Sequence, residues 1–155
     1  MALFDNSQES NFNACVHMVE SVLQQRGIHP TECRIASDDG PAWGIQHGSA
    51  EVYVFLSAGE RGENYIQVVS PVLTPAPDTF AQLMHRVLEL NANELTGCAF
   101  GLRGSEIVLT ADRSTAGLDR VELEEMIKRV AGYADHYDDI LTVEFGGTRH
   151  ADSDS

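Results

Sequence analysis

Lysine is almost missing from this 155-residue chain. Lys128 is the single one, and ten basic residues stand against 24 acidic ones. The net charge of −14 sets up a field that repels phosphate backbones and anionic lipid, so nucleic acid and membrane surfaces are not expected partners. A basic or amphipathic polypeptide suits that field better, and acidity that serves only solubility is the plain alternative. Cysteine is also scarce. Cys15, Cys33 and Cys98 are odd in number and widely spaced, which argues against a disulfide framework. No run approaches the roughly 18 apolar residues of a membrane-crossing helix. The opening Met1-Ala-Leu-Phe-Asp-Asn6 carries neither the basic nor the apolar segment of a signal peptide, and the expected location is the cytosol.

The usual signatures of chemistry are missing too. There is no GxxxxGK[ST], no GxGxxG after a strand, no GxSxG and no HExxH. Gly101-Leu-Arg-Gly104 reads as a hairpin turn. His17 stands two positions from Cys15 on a helical pattern, about 200° apart, so the pair cannot share a metal. His29 and Cys33 flank the exit of the first helix without a second ligand pair at metal spacing. Cys15 belongs to an apolar stripe and Cys98 opens a strand, as small buried hydrophobes do. No catalytic residue, metal ligand or cofactor is therefore expected. The densest polar cluster, Asp135-His-Tyr-Asp-Asp139, puts three carboxylates on one helical face near a C-terminus, against the macrodipole. A solvated face explains it, and a cation or a basic partner is the functional alternative.

What is present is a hydrophobic fraction of 43%, enough for one globular domain with its own core. Phe12, Cys15, Val16, Val19, Val22 and Leu23 recur at helical spacing, predicting a helix over 9–26, capped by Ser7 or Ser10 and stopped at Gly27. Short strands are expected over 32–37 and 42–46, then 51–57, where Val52, Val54 and Leu56 alternate with Tyr53 and Phe55. A further strand runs over 65–73, and Pro71 inside it implies an edge position, a bulge or a break. Asp78 is the candidate N-cap of a second helix with Phe80, Leu83, Met84, Val87 and Leu88 on its stripe. A hairpin spans 98–111 around Arg103-Gly104. Asp119 and Glu122 form a capping-box pair, with Leu118 and Leu123 at staple positions, ahead of a long helix whose face holds Met126, Ile127, Val130, Ala134, Tyr137 and Leu141. The order α-β-β-β-α-β-β-α, with one extra short strand early, is α+β with an antiparallel sheet. A single domain is expected over 1–147 and a flexible acidic tail over 148–155.

Val68-Val-Ser-Pro-Val72, the helix to Asn91, the hairpin from Ala99 to Leu109 and the helix from Leu118 together resemble the type III secretion chaperone-like fold, shared by secretion chaperones and YbjN-like proteins. The resemblance extends over most of the chain through element order and hydrophobic pattern. It implies a twisted antiparallel sheet flanked by helices, commonly homodimeric, commonly binding extended or partly unfolded peptide segments, with no agreed enzymatic activity in YbjN-like members.

The expected function is accordingly a non-enzymatic, chaperone-like or adaptor-like module that binds a client peptide or protein as a homodimer. The second helix and its neighbouring strands hold more apolar residues than one small core obviously needs. Val68, Val72, Phe80, Met84, Val87 and Val108 are the candidate partner-binding or dimer-interface residues, with packing inside one monomer equally open for Phe80 and Met84. The alternative is a metal- or small-molecule-binding regulatory domain, or a minor enzyme, with a pocket between sheet and helices. Tyr65, His85 and the Asp135–Asp139 cluster would supply its polar groups.

Overall fold

The computed structural model describes residues 2–153, with side chains from residue 6 onward. The elements run α1 (Ala2–Gln25), β1 (Arg34–Ile35), β2 (Ala42–His47), β3 (Ala50–Ala58), β4 (Asn64–Thr74), α2 (Phe80–Asn93), β5 (Ala99–Arg103), β6 (Glu106–Ser114), α3 (Arg120–Phe145) and β7 (Thr148–Arg149). Single 3-10 turns precede α2 (Pro77–Thr79) and follow β7 (His150–Asp152). The strands form one antiparallel sheet in the order β1-β2-β3-β4-β6-β5, and β7 pairs with β4. This is the expected α+β architecture, with β1 as the extra early strand. Among the described residues no helix is long and apolar enough to cross a membrane.

Three local signals act as the sequence suggests. Gly27 (φ +75°) closes α1 in a Schellman motif: its N–H reaches the Gln24 carbonyl and the Ile28 N–H reaches that of Leu23, both at 3.0 Å. Asp119 accepts from the Glu122 N–H at 2.9 Å while Glu122 accepts from the Asp119 N–H at 3.1 Å, completing the capping box. Arg103 pairs with Glu106 across Gly104-Ser105, and Gly104 (φ +61°) supplies the glycine-first pattern of a II′ hairpin.

Two cap assignments need correcting. Ser7 and Ser10 lie within α1, which already begins at Ala2. Asp78 lies inside the 3-10 turn, and Thr79 takes the N-cap position of α2 without a capping bond. The Thr79 hydroxyl instead donates to the Phe145 carbonyl, tying the start of α2 to the end of α3.

Pro71 sits in a central strand, not at an edge, and of the three alternatives the bulge is realised: the β4–β6 register shifts between Pro71 and Leu73. Gly101 pairs with Val108 two positions from the closing Arg103–Glu106 pair, so the Val108 backbone groups point to β5. Pro71, opposite Val108, therefore turns its nitrogen away from β6. On that other flank β3 has already left, since its last pair with β4 is Tyr53–Val69. The missing N–H costs no ladder bond.

The core lies between one face of the sheet and the helices. Val52, Val54, Leu56, Ile66, Val68, Leu109 and Ala111 face it, against Val19, Leu23, Leu83, Leu123, Ile127 and Leu141. The expected tail begins with ordered structure. Residues 148–152 form β7 and the following 3-10 turn, while Asp154 and Ser155 lie outside the described residues. Gly146 and Gly147 (φ +76° and +89°) reverse the chain after α3, and a Cβ on Gly147 would stand 2.4 Å from the Thr74 carbonyl oxygen. Only glycine allows β7 so close to β4.

Candidate functional site

Strand alternation gives the sheet a second face. Tyr53 and Phe55 of β3, Val69 and Pro71 of β4, and Val108 and Thr110 of β6 share it, because Tyr53 pairs with Val69, Val69 with Thr110 and Pro71 with Val108. None of these side chains joins the core cluster beneath the helices. Tyr53 and Phe55 are half-buried, with ring centroids 6.3 Å apart. Val69 and Val108 are nearly covered by their neighbours. Arg103, Gln67 and Thr110 form a polar chain on this face: Arg103 donates to Gln67 at 3.2 Å and Gln67 to Thr110 at 3.3 Å. An apolar, aromatic floor with a polar border is what an extended chain with alternating side chains can lie on.

Helix α2 carries two apolar stripes. Leu83, Val87 and Leu90 are buried. Phe80, Met84 and Leu88 recur at i, i+4 and i+8 on another face, where Phe80 is 40% and Leu88 65% exposed and Met84 is half-buried against the core. The six candidate interface residues therefore separate. Val68, Val72 and Val87 are core residues at 0%, 1% and 5% exposure; their parity or helical phase turns them inward. Val108 lies on the second sheet face but is itself only 4% exposed, and Phe80 and Met84 lie on the outer stripe of α2. Leu88 completes that stripe: it belongs to the second helix's expected apolar pattern but not to the interface candidates, although its spacing from Phe80 and Met84 sets it beside them.

The acidic cluster of α3 is committed to the fold. Asp135 accepts from the Ser49 N–H and hydroxyl, each at 2.8 Å, and Asp138, buried at 4% exposure, lies 2.5 Å from the same hydroxyl. The backbone N–H of Ser49 is the first cause that holds the Asp135 carboxyl below its ordinary range. The cluster thus fastens the turn between β2 and β3, which a solvated face would not do. Asp139 takes Arg149 at 2.6 Å, and Arg149 also meets Asp152 at 2.8 Å.

His150, in the expected tail, stands between two carboxylates. Its Nδ1 is 2.7 Å from Glu106 and its Nε2 2.7 Å from Glu51. Glu51 also accepts from the Tyr53 hydroxyl at 2.7 Å. Burial works against charge on His150, but the hydrogen bonds to Glu51 and Glu106 outweigh it and the imidazole pKa is raised. The same bond to His150, then that from Tyr53, lowers the pKa of Glu51. No sequence signal marks this clamp, since its members lie 44 and 99 positions apart.

The polar candidates for a small-molecule pocket do not converge. The Tyr65 hydroxyl donates to Glu63, exposed His85 faces Glu89 at 3.8 Å, and the Asp cluster holds Ser49. A cleft of about 530 Å³ does lie between α1 and the β3–β4 loop, lined in part by Gln8, Asn11, Arg61, Asn64 and Thr115. Its buried groups are satisfied internally, with Asn11 accepting from Asn64 at 2.9 Å and from Thr115 at 2.6 Å. Burial raises the pKa of all three thiols, Cys98 to about 11, so thiolate is scarce at neutral pH. Among the described residues no three His, Cys, Asp or Glu side chains are grouped to hold a metal.

The family model TY-Chap1, described as T3SS (YopN, CesT) and YbjN peptide-binding chaperone 1, matches residues 13–153. The chain belongs to this family. The TY-Chap1 span runs from within α1 through β7 to the turn holding His150, so the C-terminal segment lies inside the family pattern. Among solved structures, the chain is similar to the ExsC-ExsE complex at 13% identity and TM-score 0.61, covering 83% of this chain and 94% of that one. It is similar to the HopA1-SchA chaperone-effector complex at 15% identity and TM-score 0.58, covering 84% and 97%. An uncharacterized protein from Methanothermobacter thermautotrophicus matches at 14% identity and TM-score 0.60, covering 84% and 98%. At these identities the likeness is one of fold. No curated protein matches the chain.

Proposed function

We propose that this chain is a non-enzymatic, cytosolic, chaperone-like module that binds extended peptide segments of a client protein and works as a homodimer. The observation that carries the reading is the second face of the sheet, where the half-buried Tyr53 and Phe55 flank the covered Val69 and Val108, outside the core cluster that the described helices cover. Membership of a family described as peptide-binding chaperones supports it, as does likeness in fold to a chaperone-effector complex. The net charge of −14 favours clients with basic residues and disfavours nucleic acid.

The outer stripe of α2 suits self-association. Phe80 and Leu88 stand symmetrically about Met84, so a two-fold axis at Met84 would set each Phe80 against the other copy's Leu88, as an isologous contact requires. Apart from His85, the ionisable residues of α2 are Arg86 and Glu89, whose charges cancel. In a strongly acidic molecule this is a surface two copies can bring together without like-charge repulsion.

A random peptide array probed with the full chain tests the client reading. Retention of extended peptides mixing basic and apolar residues is expected, and failure to retain any peptide rejects it. Light scattering tests the dimer, and a strict monomer at micromolar concentration rejects that part alone.

A further inference from the structure

Beyond Val69 the flank of β4 is open, because β3 has parted from it; there the Ser70 hydroxyl donates to the Glu51 carbonyl at 2.7 Å in place of a ladder bond. The chain fills this flank with its own C-terminal segment. Leu73 pairs with Arg149 and Thr74 with Thr148, on the side β3 has left, since Leu73 already meets Ile107 of β6 on the other.

No apolar anchor holds the segment. Thr148, Ala151 and Asp152 are exposed, and none of residues 148–152 is fully buried. It is held by a two-residue ladder and by charge. Arg149 reaches Asp139 on the helix side, while His150 reaches Glu51 and Glu106 on the second sheet face. Consecutive residues of an extended chain point to opposite faces, so two successive basic residues meet three carboxylates contributed by α3, β3 and β6.

We infer that the C-terminal segment occupies, in cis, a strand-docking slot that takes an extended client peptide carrying two consecutive basic residues. The inference rests on the peptide-binding reading above and names its site. A client with Arg or Lys at both positions would retain the ladder and replace His150 with a permanent cation. It could also extend past the segment toward the half-buried Tyr53 and Phe55. The C-terminal segment then acts as an internal competitor that a stronger client displaces.

The test is a fluorescence-anisotropy titration of the full chain with a labelled dodecapeptide of alternating threonine and valine that holds a central Arg-Lys pair. The same peptide with Glu-Glu at its centre, and a peptide selected from the random array for binding without a basic pair, serve as comparisons. In the double variant R149S/H150S the Arg-Lys peptide should bind about tenfold more tightly than to the unaltered chain, the gain expected if the slot is self-occupied about nine-tenths of the time. In E51Q/E106Q that binding should be lost, with thermal melting confirming a folded chain and the array-selected peptide still bound. Equal affinity of all three proteins for the Arg-Lys peptide overturns the slot while leaving peptide binding intact. Absence of binding to every peptide by every form overturns both readings.

Discussion

Asn91 of α2 holds both backbone groups of Phe100 on β5: its Nδ2 donates to the Phe100 carbonyl at 3.1 Å and its Oδ1 accepts from the Phe100 N–H at 2.7 Å. The closing Arg103–Glu106 pair sets the alternation along β5, so these are the groups that face away from β6. One side chain thereby imitates a neighbouring strand and blunts the outer edge of the sheet. N91A should lower stability by about 1–2 kcal/mol, the usual effect of unpairing such groups where water can partly replace them. It should also produce larger species at high concentration. Thermal melting and light scattering read both, and an unchanged melt with an unchanged size contradicts the role.

The two stripes of α2 should respond differently. L83A removes a fully buried side chain and should cost about 2–5 kcal/mol of folding stability. L88A removes a largely exposed one and should shift stability by about 0.5 kcal/mol or less. M84E, at the centre of the outer stripe, should leave a folded monomer. Denaturant titration and light scattering separate the cases; a dimeric M84E removes α2 from the interface.

The His150 clamp predicts a pH window. The imidazole pKa is raised on folding, so its contribution is fully present below the ordinary value of 6.5 and disappears as pH rises through the higher folded value. Only the imidazolium donates to Glu51 and Glu106 together. The Glu51 carboxyl is lowered, so its contribution is present above the ordinary value of 4.5 and is lost as pH falls through the lower folded one. The imidazole meets Glu51 from β3 and Glu106 from β6, and the Tyr53 hydroxyl donates to the same Glu51. The stability difference between the unaltered chain and H150N should be greatest between those two ordinary values and shrink toward pH 9. Urea titrations across that range measure it, and a difference that does not vary with pH contradicts the clamp.

Asp119 should behave as an ordinary strong N-cap. D119A deprives the Glu122 N–H of its acceptor and should cost about 1 kcal/mol. D119S, which keeps an acceptor oxygen, should recover most of that loss in a parallel thermal melt; no recovery would assign the loss to something other than capping.

Local signals carried most of the architecture into the sequence. Gly27, Gly104 and the Asp119–Glu122 pair each act through neighbours a few positions away, so their roles are readable in one dimension. The long stripe of α3 was equally legible, since one periodic face met one core. Parity was harder. Val68 and Val108 are both strand valines, but which face the helices cover depends on the pairing of β4 with β6 across some forty residues. The clamp was out of reach, because Glu51, Glu106 and His150 become neighbours only after β3, β6 and the C-terminal turn are assembled. The tail looked polar because its stabilising contacts are charges contributed by other elements, and composition does not record those.

Pro71 also guards the assembly of the sheet. If β4 slipped by one residue against β6, the proline would move to a position where its nitrogen faces the β6 ladder and has no hydrogen to offer. The same slip would carry Val68 out of the core and Val69 into it. A newly made chain that zipped β4 out of step would lose a ladder bond and the fit of its core together. The proline thus acts as a proofreading mark for strand registration, and exchanging it for valine should let misaligned β4–β6 pairings persist longer during refolding.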